Sequence, residues 1–499
     1  MFATVSSVSL FGLHGIKVGV EADIQPGLPS FEIVGLPASA IREAKERVRS
    51  AILNSGYEWP RSRITINLTP ADFKKEGSGL DLPIAISVLV SSEQILPAMS
   101  NVILLGELAL DGAVRTFRGL YAAISYAEEL FPPLIITPEF DGLEEFSSSQ
   151  KMYAIDHLSQ AISALHGESR QKRKIHQPAS SNPVLPKNYD EVVGHETVKR
   201  VLEIAASGRH HLVMYGTPGA GKTMLAERLT SILPPLDASD LAQVKKIYSV
   251  ANLPFPQDNE RPFRAPHHTI STTGLLGGGT TPHPGEVSLA HCGVLFLDEF
   301  PEFSRSAIEG LRQPLSVGEI TISRSLYSYT FPSRFQLVAA MNPCPCGYDG
   351  STTHLCTCST QSIEKYQKKL SGPILDRIDL SVWVDSVPIQ KILDKQEFPA
   401  DSSVTIRKRV IKTIAYTSAR RAEEKNSPQS HSLYQMKMDK SSIEMLVKIA
   451  ESQHLSMRSA NSLANVSRTI ADMEQSEWIR KDHLLEAMQY RMMHSLHTV

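Results

Sequence analysis

The stretch GTPGAGKT, Gly216 to Thr223, holds the residues whose types and spacing point most directly to chemistry. Three glycines, Gly216, Gly219 and Gly221, let backbone N–H groups curl around phosphate oxygens, and Thr217, Pro218 and Ala220 complete the loop. Lys222 would reach the β- and γ-phosphates of ATP, and the Thr223 hydroxyl would ligate Mg²⁺. The apolar run Leu212–Tyr215 ahead of the loop and the helical spacing behind it predict strand, loop and helix. That context separates a phosphate loop from a glycine-rich turn.

Further along, GVLFLDEF (293–300) predicts a buried strand that ends in two acids. Asp298 is placed to hold the Mg²⁺ shell and Glu299 to orient and deprotonate the attacking water, a pairing that points to hydrolysis. A third apolar run, FQLVAAMN (335–342), ends in Asn342, a neutral group suited to the γ-phosphate or the water. In LSGPILDRIDLSVWV (370–384), Arg377 has two readings. It either pairs with Asp376 or Asp379 at the surface, or it is a finger offered to a neighbouring subunit's γ-phosphate.

Four of the five cysteines crowd into one loop as C-x-C-x9-C-x-C: Cys344, Cys346, Cys356 and Cys358. Four thiolates suffice for a closed tetrahedral Zn²⁺ site, with His354 able to replace one of them. Free thiols and disulfides are the alternatives. Cys292 stands apart on an apolar approach and reads as a core thiol. The odd cysteine count, together with a start that lacks a basic region followed by an apolar core, predicts a cytoplasmic protein.

These groups need elements to hold them. Residues 1–167 alternate short strand-like runs with amphipathic helices. The segment 38–53 puts Ile41, Ala44, Val48, Ala51 and Ile52 on one helical face, and 63–68 and 101–108 read as strands. Residues 168–188, first basic and then Ser/Pro-rich, read as a linker; its Arg170, Lys172, Arg173 and Lys174 are either a solvated connector or a DNA-facing patch. Residues 189–390 alternate helix and strand as α/β layers do, and 391–499 carry only helical spacing. A net charge of −2 sets up no global basic field, so a nucleic-acid partner would need local patches. No apolar run reaches the roughly 18 residues that a membrane span requires.

With these elements in this order, residues 189–499 resemble the AAA+ ATPases, specifically their magnesium-chelatase-like branch. EVVGHE (191–196), including Val193, is similar to the stretch that packs near adenine in that superfamily. RPFRAPHHTISTTGLLGGG (261–279) is similar to the branch's insertion, and GEITISRSLYSYTFPSRF (318–335) to its hairpin before the sensor strand. The resemblance makes 391–499 the lid and places its sensor arginine at Arg458, with Arg468 as the other occupant.

DFKKEGSGLDLPIAI (72–86) and GELALDGAVRTFRGLYAAI (106–124) resemble the active-site segments of Lon-type proteases. That implies a Lon-protease-like (ribosomal S5 domain 2-like) α+β fold for residues 1–167. Lon chemistry needs a serine nucleophile and a lysine base. The matching positions carry Asp81 and Tyr121, and Ser78 is out of register, which implies a scaffold without peptidase activity. The whole arrangement resembles the YifB/ComM family: an α/β protein with a Lon-like head, a P-loop AAA+ core and an all-α lid. What the family implies is a cytoplasmic, hexameric, ATP- and Mg²⁺-dependent helicase that drives DNA branch migration in recombination or natural transformation.

For such a motor, Arg264, His267 and His268 in the insertion and Arg324 in the hairpin are the candidate DNA-phosphate contacts, against the bland reading of solvated turn and strand residues. Two other functions compete. One is a chelatase-type motor driving metal insertion through a partner protein; the other is an ATP-dependent protease, opposed by Asp81 and Tyr121.

Overall fold

Phe2–Phe11 and His14–Gln25 pair antiparallel along their whole length, from Phe2 opposite Asp23 to Phe11 opposite His14. Gly12 (φ 64°) supplies the left-handed backbone that their tight connection demands. In this computed structural model every residue is described except 97–100, 147–150, 168–186, 257–259, 280–281, 324–327, 352–353, 389, 391–400, 426–435 and 492–499. The chain divides into two compact units: Met1–Asn182 with Ala242–Phe255, and Pro183–Leu241 with Pro256–Val499.

In the first unit that hairpin is the middle of a seven-stranded mixed sheet. The spatial order is Ser30–Val34, Arg63–Thr69, His14–Gln25, Phe2–Phe11, Ile103–Leu104, Leu134–Pro138 and Lys151–Ile155. Ile64, Ile66 and Leu68 alternate inward from the second of these and pack with Val48, Ala51 and Ile52 of the helix Ala44–Asn54 and with the almost wholly buried helix Asp81–Ser91. Period-two burial on Arg63–Thr69 and a single apolar stripe on the helix are what a strand covered on one face requires. Leu134–Pro138 is instead buried throughout, because Leu120, Ala123 and Ile124 of the helix Leu120–Glu129 pack with Val8, Ile103 and Ile135 on the opposite face. The expected strand over 101–108 is broken at Gly106 into two short pieces. Residues Ala242–Phe255, which sequence position alone would put in the ATPase core, group with this unit. There the Gly119 N–H donates to the Ser249 carbonyl (3.0 Å), and the Phe255 ring stands edge-on to Tyr121 (5.5 Å).

The second unit is built on five parallel strands in the order Phe263–Arg264, Val294–Leu297, Gln336–Met341, Leu212–Tyr215 and Leu380–Trp383. Leu212–Tyr215 and Val294–Leu297 are short, continuous and apolar, as strands covered on both faces must be, whereas the edge strand Phe263–Arg264 is only partly buried. A parallel order places every carboxyl end on one edge, where ligands of open α/β sheets bind. Ser403–Lys425, Lys440–Ser452, Met457–Met473 and Lys481–Gln489 form the helical C-terminal part. Bidentate pairs join it to the helix Glu196–Gly208: Arg409 on Glu203 (2.6 and 3.0 Å) and Arg200 on Glu486 (2.9 and 3.3 Å). Among the described residues no helix is long and apolar enough to cross a membrane.

Candidate nucleotide site

Strand Leu212–Tyr215 delivers the phosphate loop to the carboxyl edge. Gly216 has to be glycine because a Cβ there would lie 2.2 Å from the Val384 carbonyl oxygen. Gly219 and Gly221 take φ of 77° and 90°, the left-handed region that frees successive N–H groups to point inward, and Gly221 then starts the helix Lys222–Ile232. The Lys222 ammonium donates to the carbonyls of Gly216 (2.7 Å) and Thr217 (3.0 Å) and to Asn342 Oδ1 (3.2 Å). Its three protons thus meet neutral acceptors, for which a phosphate oxygen is a stronger competitor. Burial pulls the Lys222 pKa down, with Asp298 working the other way.

The strand Gln336–Met341, which Asn342 directly follows, lies between the phosphate-loop strand and the acidic strand, with Met341 opposite Tyr215 and Ala339 opposite Leu297. That register brings Asp298 across to Thr223, whose Oγ1 donates to Asp298 Oδ2 at 2.8 Å. A hydroxyl and a carboxylate, both hard oxygen donors on a solvent-exposed edge, fit Mg²⁺ with phosphate and water completing its shell. Glu299 sits at φ 50°, half exposed, with Oε2 3.0 Å from His268 Nδ1. The Glu191–Glu196 stretch reaches the same edge: Val193 is half-buried, and Nε2 of His195 would be 3.8 Å from a Cβ on Gly221.

Arg377 hydrogen-bonds Ser316 Oγ (2.7 Å) and the Pro373 carbonyl (2.6 Å). Its flanking acids turn to the lid helix instead: Ser459 Oγ donates to Asp376 (3.0 Å) and Ser462 Oγ to Asp379 (2.6 Å). Burial, followed by the charges of Arg458 and Arg312, lowers the Arg377 pKa, so three guanidiniums share one neighbourhood. Arg458 is exposed. Arg468 is buried and spent within the lid, on Asp472 (3.0 Å) and the carbonyls of Glu477 (2.9 Å) and Ser476.

The family model described as "Magnesium chelatase, subunit ChlI" matches residues 188–392, "Subunit ChlI of Mg-chelatase" matches 20–139, and "Magnesium chelatase, subunit ChlI C-terminal" matches 400–491. Protein YifB of Salmonella typhimurium is 40% identical over 98% of this chain and 97% of its own length. Competence protein ComM of Haemophilus influenzae is likewise 40% identical, over 98% of this chain and 97% of its own. The chain belongs to the YifB/ComM family. Lon protease 2 of Bacillus subtilis is a more distant relative, 27% identical over 42% of this chain and 39% of that protein.

The YifB/ComM-family assignment makes this a magnesium-chelatase-like AAA+ protein and focuses attention on the residues expected at DNA. Arg264 lies on the edge strand with its guanidinium forked onto Glu286 (2.6 and 2.8 Å), so a phosphate contact would have to displace an internal carboxylate. His268 faces Glu299, a placement the sequence could not indicate because the two residues are distant along the chain. His267 is exposed, its ring 4.1 Å from that of His268. Arg324 lies outside the described residues; in sequence it falls between the paired strands Glu319–Ser323 and Ser328–Pro332.

At the Lon-like positions, Asp81 is buried and gripped by Arg47 through both oxygens (2.7 and 3.1 Å). Burial raises its pKa to about 6 against that pairing. The Tyr121 hydroxyl donates to Glu145 (3.0 Å), burial pushes its pKa up to about 12, and Ser78 bonds Glu107. The four loop cysteines are all free, with every Sγ within 4.8 Å of the others, a group able to hold a metal ion. His354 instead places its ring 4.9 Å from Tyr348, and Cys292 is buried.

Proposed function

We propose that this chain hydrolyses ATP at pockets shared between neighbouring subunits of a homo-hexameric ring, and that the ring drives DNA branch migration in recombination or transformation. The carrying observation is the convergence of Lys222, Thr223, Asp298 and Asn342 within hydrogen-bond reach at the carboxyl edge of one parallel sheet. Mg²⁺, held by Thr223 and Asp298, would neutralise phosphate charge. Lys222 draws on the β- and γ-phosphates, Asn342 fixes the γ-phosphate or the water, and Glu299 takes the proton of the attacking water. Val193 borders the base. Arg377 and Arg458 supply positive charge to the transition state, Arg377 from the adjacent subunit.

The DNA step rests on the near-full-length likeness to a protein named for competence. His267 and Arg324 are the contacts assigned to DNA phosphates. ATP turnover measured with and without a synthetic four-way junction, beside migration of that junction, tests both halves. Glu299→Gln is expected to slow turnover by about 10²–10⁴-fold, the usual worth of a positioned base, and to abolish migration. Wild-type turnover in Lys222→Ala or Glu299→Gln refutes the motor. A chelatase-type motor, which the family descriptions favour, requires turnover that ignores DNA.

A further inference from the structure

The cysteine loop belongs neither to the phosphate site nor to the expected DNA surface, yet it touches the former. Cys344 Sγ lies 3.3 Å from Cys346 and 3.7 Å from Cys356, and Cys346 lies 3.6 Å from Cys356. Four thiolates about 2.3 Å from one tetrahedral Zn²⁺ are about 3.8 Å apart, so these separations are those of a ligand cage. Disulfides would draw sulfurs together in pairs at about 2.05 Å; they give no reason for four to gather. Backbone N–H groups point at the sulfurs: Cys346 to Cys358 (3.4 Å), Asp349 to Cys344 (3.3 Å) and Cys358 to Cys356 (3.4 Å). Such donors stabilise thiolate charge and orient ligands.

The same turn braces the nucleotide pocket. Asn342, whose Oδ1 receives Lys222, precedes Cys344 by two residues. Gly347, in a turn closed by its N–H on the Cys344 carbonyl (3.0 Å), is so close to the phosphate loop that a Cβ on it would be 2.7 Å from Pro218 Cγ. That Cβ would also be 3.8 Å from Asn342 Cγ. Whatever fixes Cys344 and Cys346 therefore fixes the backing of both Asn342 and Pro218.

We propose that Cys344, Cys346, Cys356 and Cys358 bind one Zn²⁺, and that the ion positions Asn342 and the phosphate loop for nucleotide. The second clause rests on the nucleotide-site reading; the first does not. Full-length protein purified under reducing conditions should carry about one zinc per chain by elemental analysis, the stoichiometry of a four-thiolate site. Lys222→Ala should retain that zinc whatever becomes of turnover, which separates failure of the site from failure of the motor. Cys356→Ser/Cys358→Ser should lose it. Wild-type protein stripped of zinc by a thiol reagent and chelator should bind a fluorescent ATP analogue about tenfold more weakly. Restoring thiols and zinc should recover the affinity, which excludes misfolding as the cause. KM should change more than kcat. Protein without zinc, protein holding iron instead, or stripped protein with unchanged nucleotide affinity overturns the proposal.

Discussion

Arg458 and Arg468 lie on the same lid helix, Met457–Met473, and are used in opposite ways. Arg468 shares buried Asp472 with Arg420 and Thr417 and donates to the Ser476 and Glu477 carbonyls, so its removal leaves the carboxylate paired but unpairs those two carbonyls. Arg468→Ala is expected to cost about 1–3 kcal/mol of stability in urea unfolding, the worth of buried hydrogen-bonding groups left unmade. Arg458, exposed beside Arg377, should cost no more than about 0.5 kcal/mol as Ala. It should instead lower ATP turnover. A destabilised Arg458→Ala with normal turnover would move the sensor role elsewhere. Asp472, four residues after Arg468 on the same helix, was the one local hint of this difference; that Arg420 and the Ser476 and Glu477 carbonyls close around the pair was not legible in the sequence.

Elements were legible where chemistry follows an apolar run. Leu212–Tyr215 and Val294–Leu297 are the runs that precede the phosphate loop and the acidic pair, and Ile41, Ala44, Val48, Ala51 and Ile52 are all buried, although Ile41 belongs to a separate short helix, Ser39–Arg42, broken from Ala44–Asn54 at Glu43. Strand order was not legible. Nothing local says that the strand just before Asn342 separates the other two, or that His268 meets Glu299 and Arg264 meets Glu286, since these are long-range choices made by packing. His291, just before the acidic strand, is another such case. It is wholly buried, its Nδ1 accepts the Arg334 N–H (3.1 Å), and burial, helped by the charge of Arg334, lowers its pKa to about 4. An unfolded chain would protonate it near 6.5. Between these values the unfolded state binds the extra proton, so His291 contributes its full stability above pH 6.5 and loses it toward pH 4. The loss is about 1.4 kcal/mol per pH unit at most. Unfolding midpoints from pH 7.5 to 4.5 should slope less steeply in His291→Gln than in wild type. Parallel slopes would remove His291 as the source.

At the scale of the assembly, a finger contributed in trans has a specific signature. Lys222→Ala keeps Arg377, and Arg377→Ala keeps Lys222, so each inactive protein holds what the other lacks. Mixed one to one in a head-to-tail ring, about a quarter of the pockets combine an intact phosphate loop with an intact neighbouring arginine, and turnover should return in that proportion. Mixing without recovery assigns Arg377 to its own subunit's site.

The path of the backbone has a consequence for dissecting the protein. Part of the first unit, Ala242–Phe255, is encoded after the phosphate loop, so the polypeptide passes from one unit to the other three times. Cleavage at 182 therefore yields no self-sufficient piece. The front fragment lacks the strip that covers Tyr121 and Gly119, and the back fragment exposes Phe255 and Val250. Produced together, 1–182 and 183–499 should co-purify through that strip, whereas each made separately should aggregate; a freely soluble, monodisperse 1–182 would contradict this. A lineage with no use for peptide cleavage could still not discard these first residues by simple truncation, because their missing piece is written inside the engine.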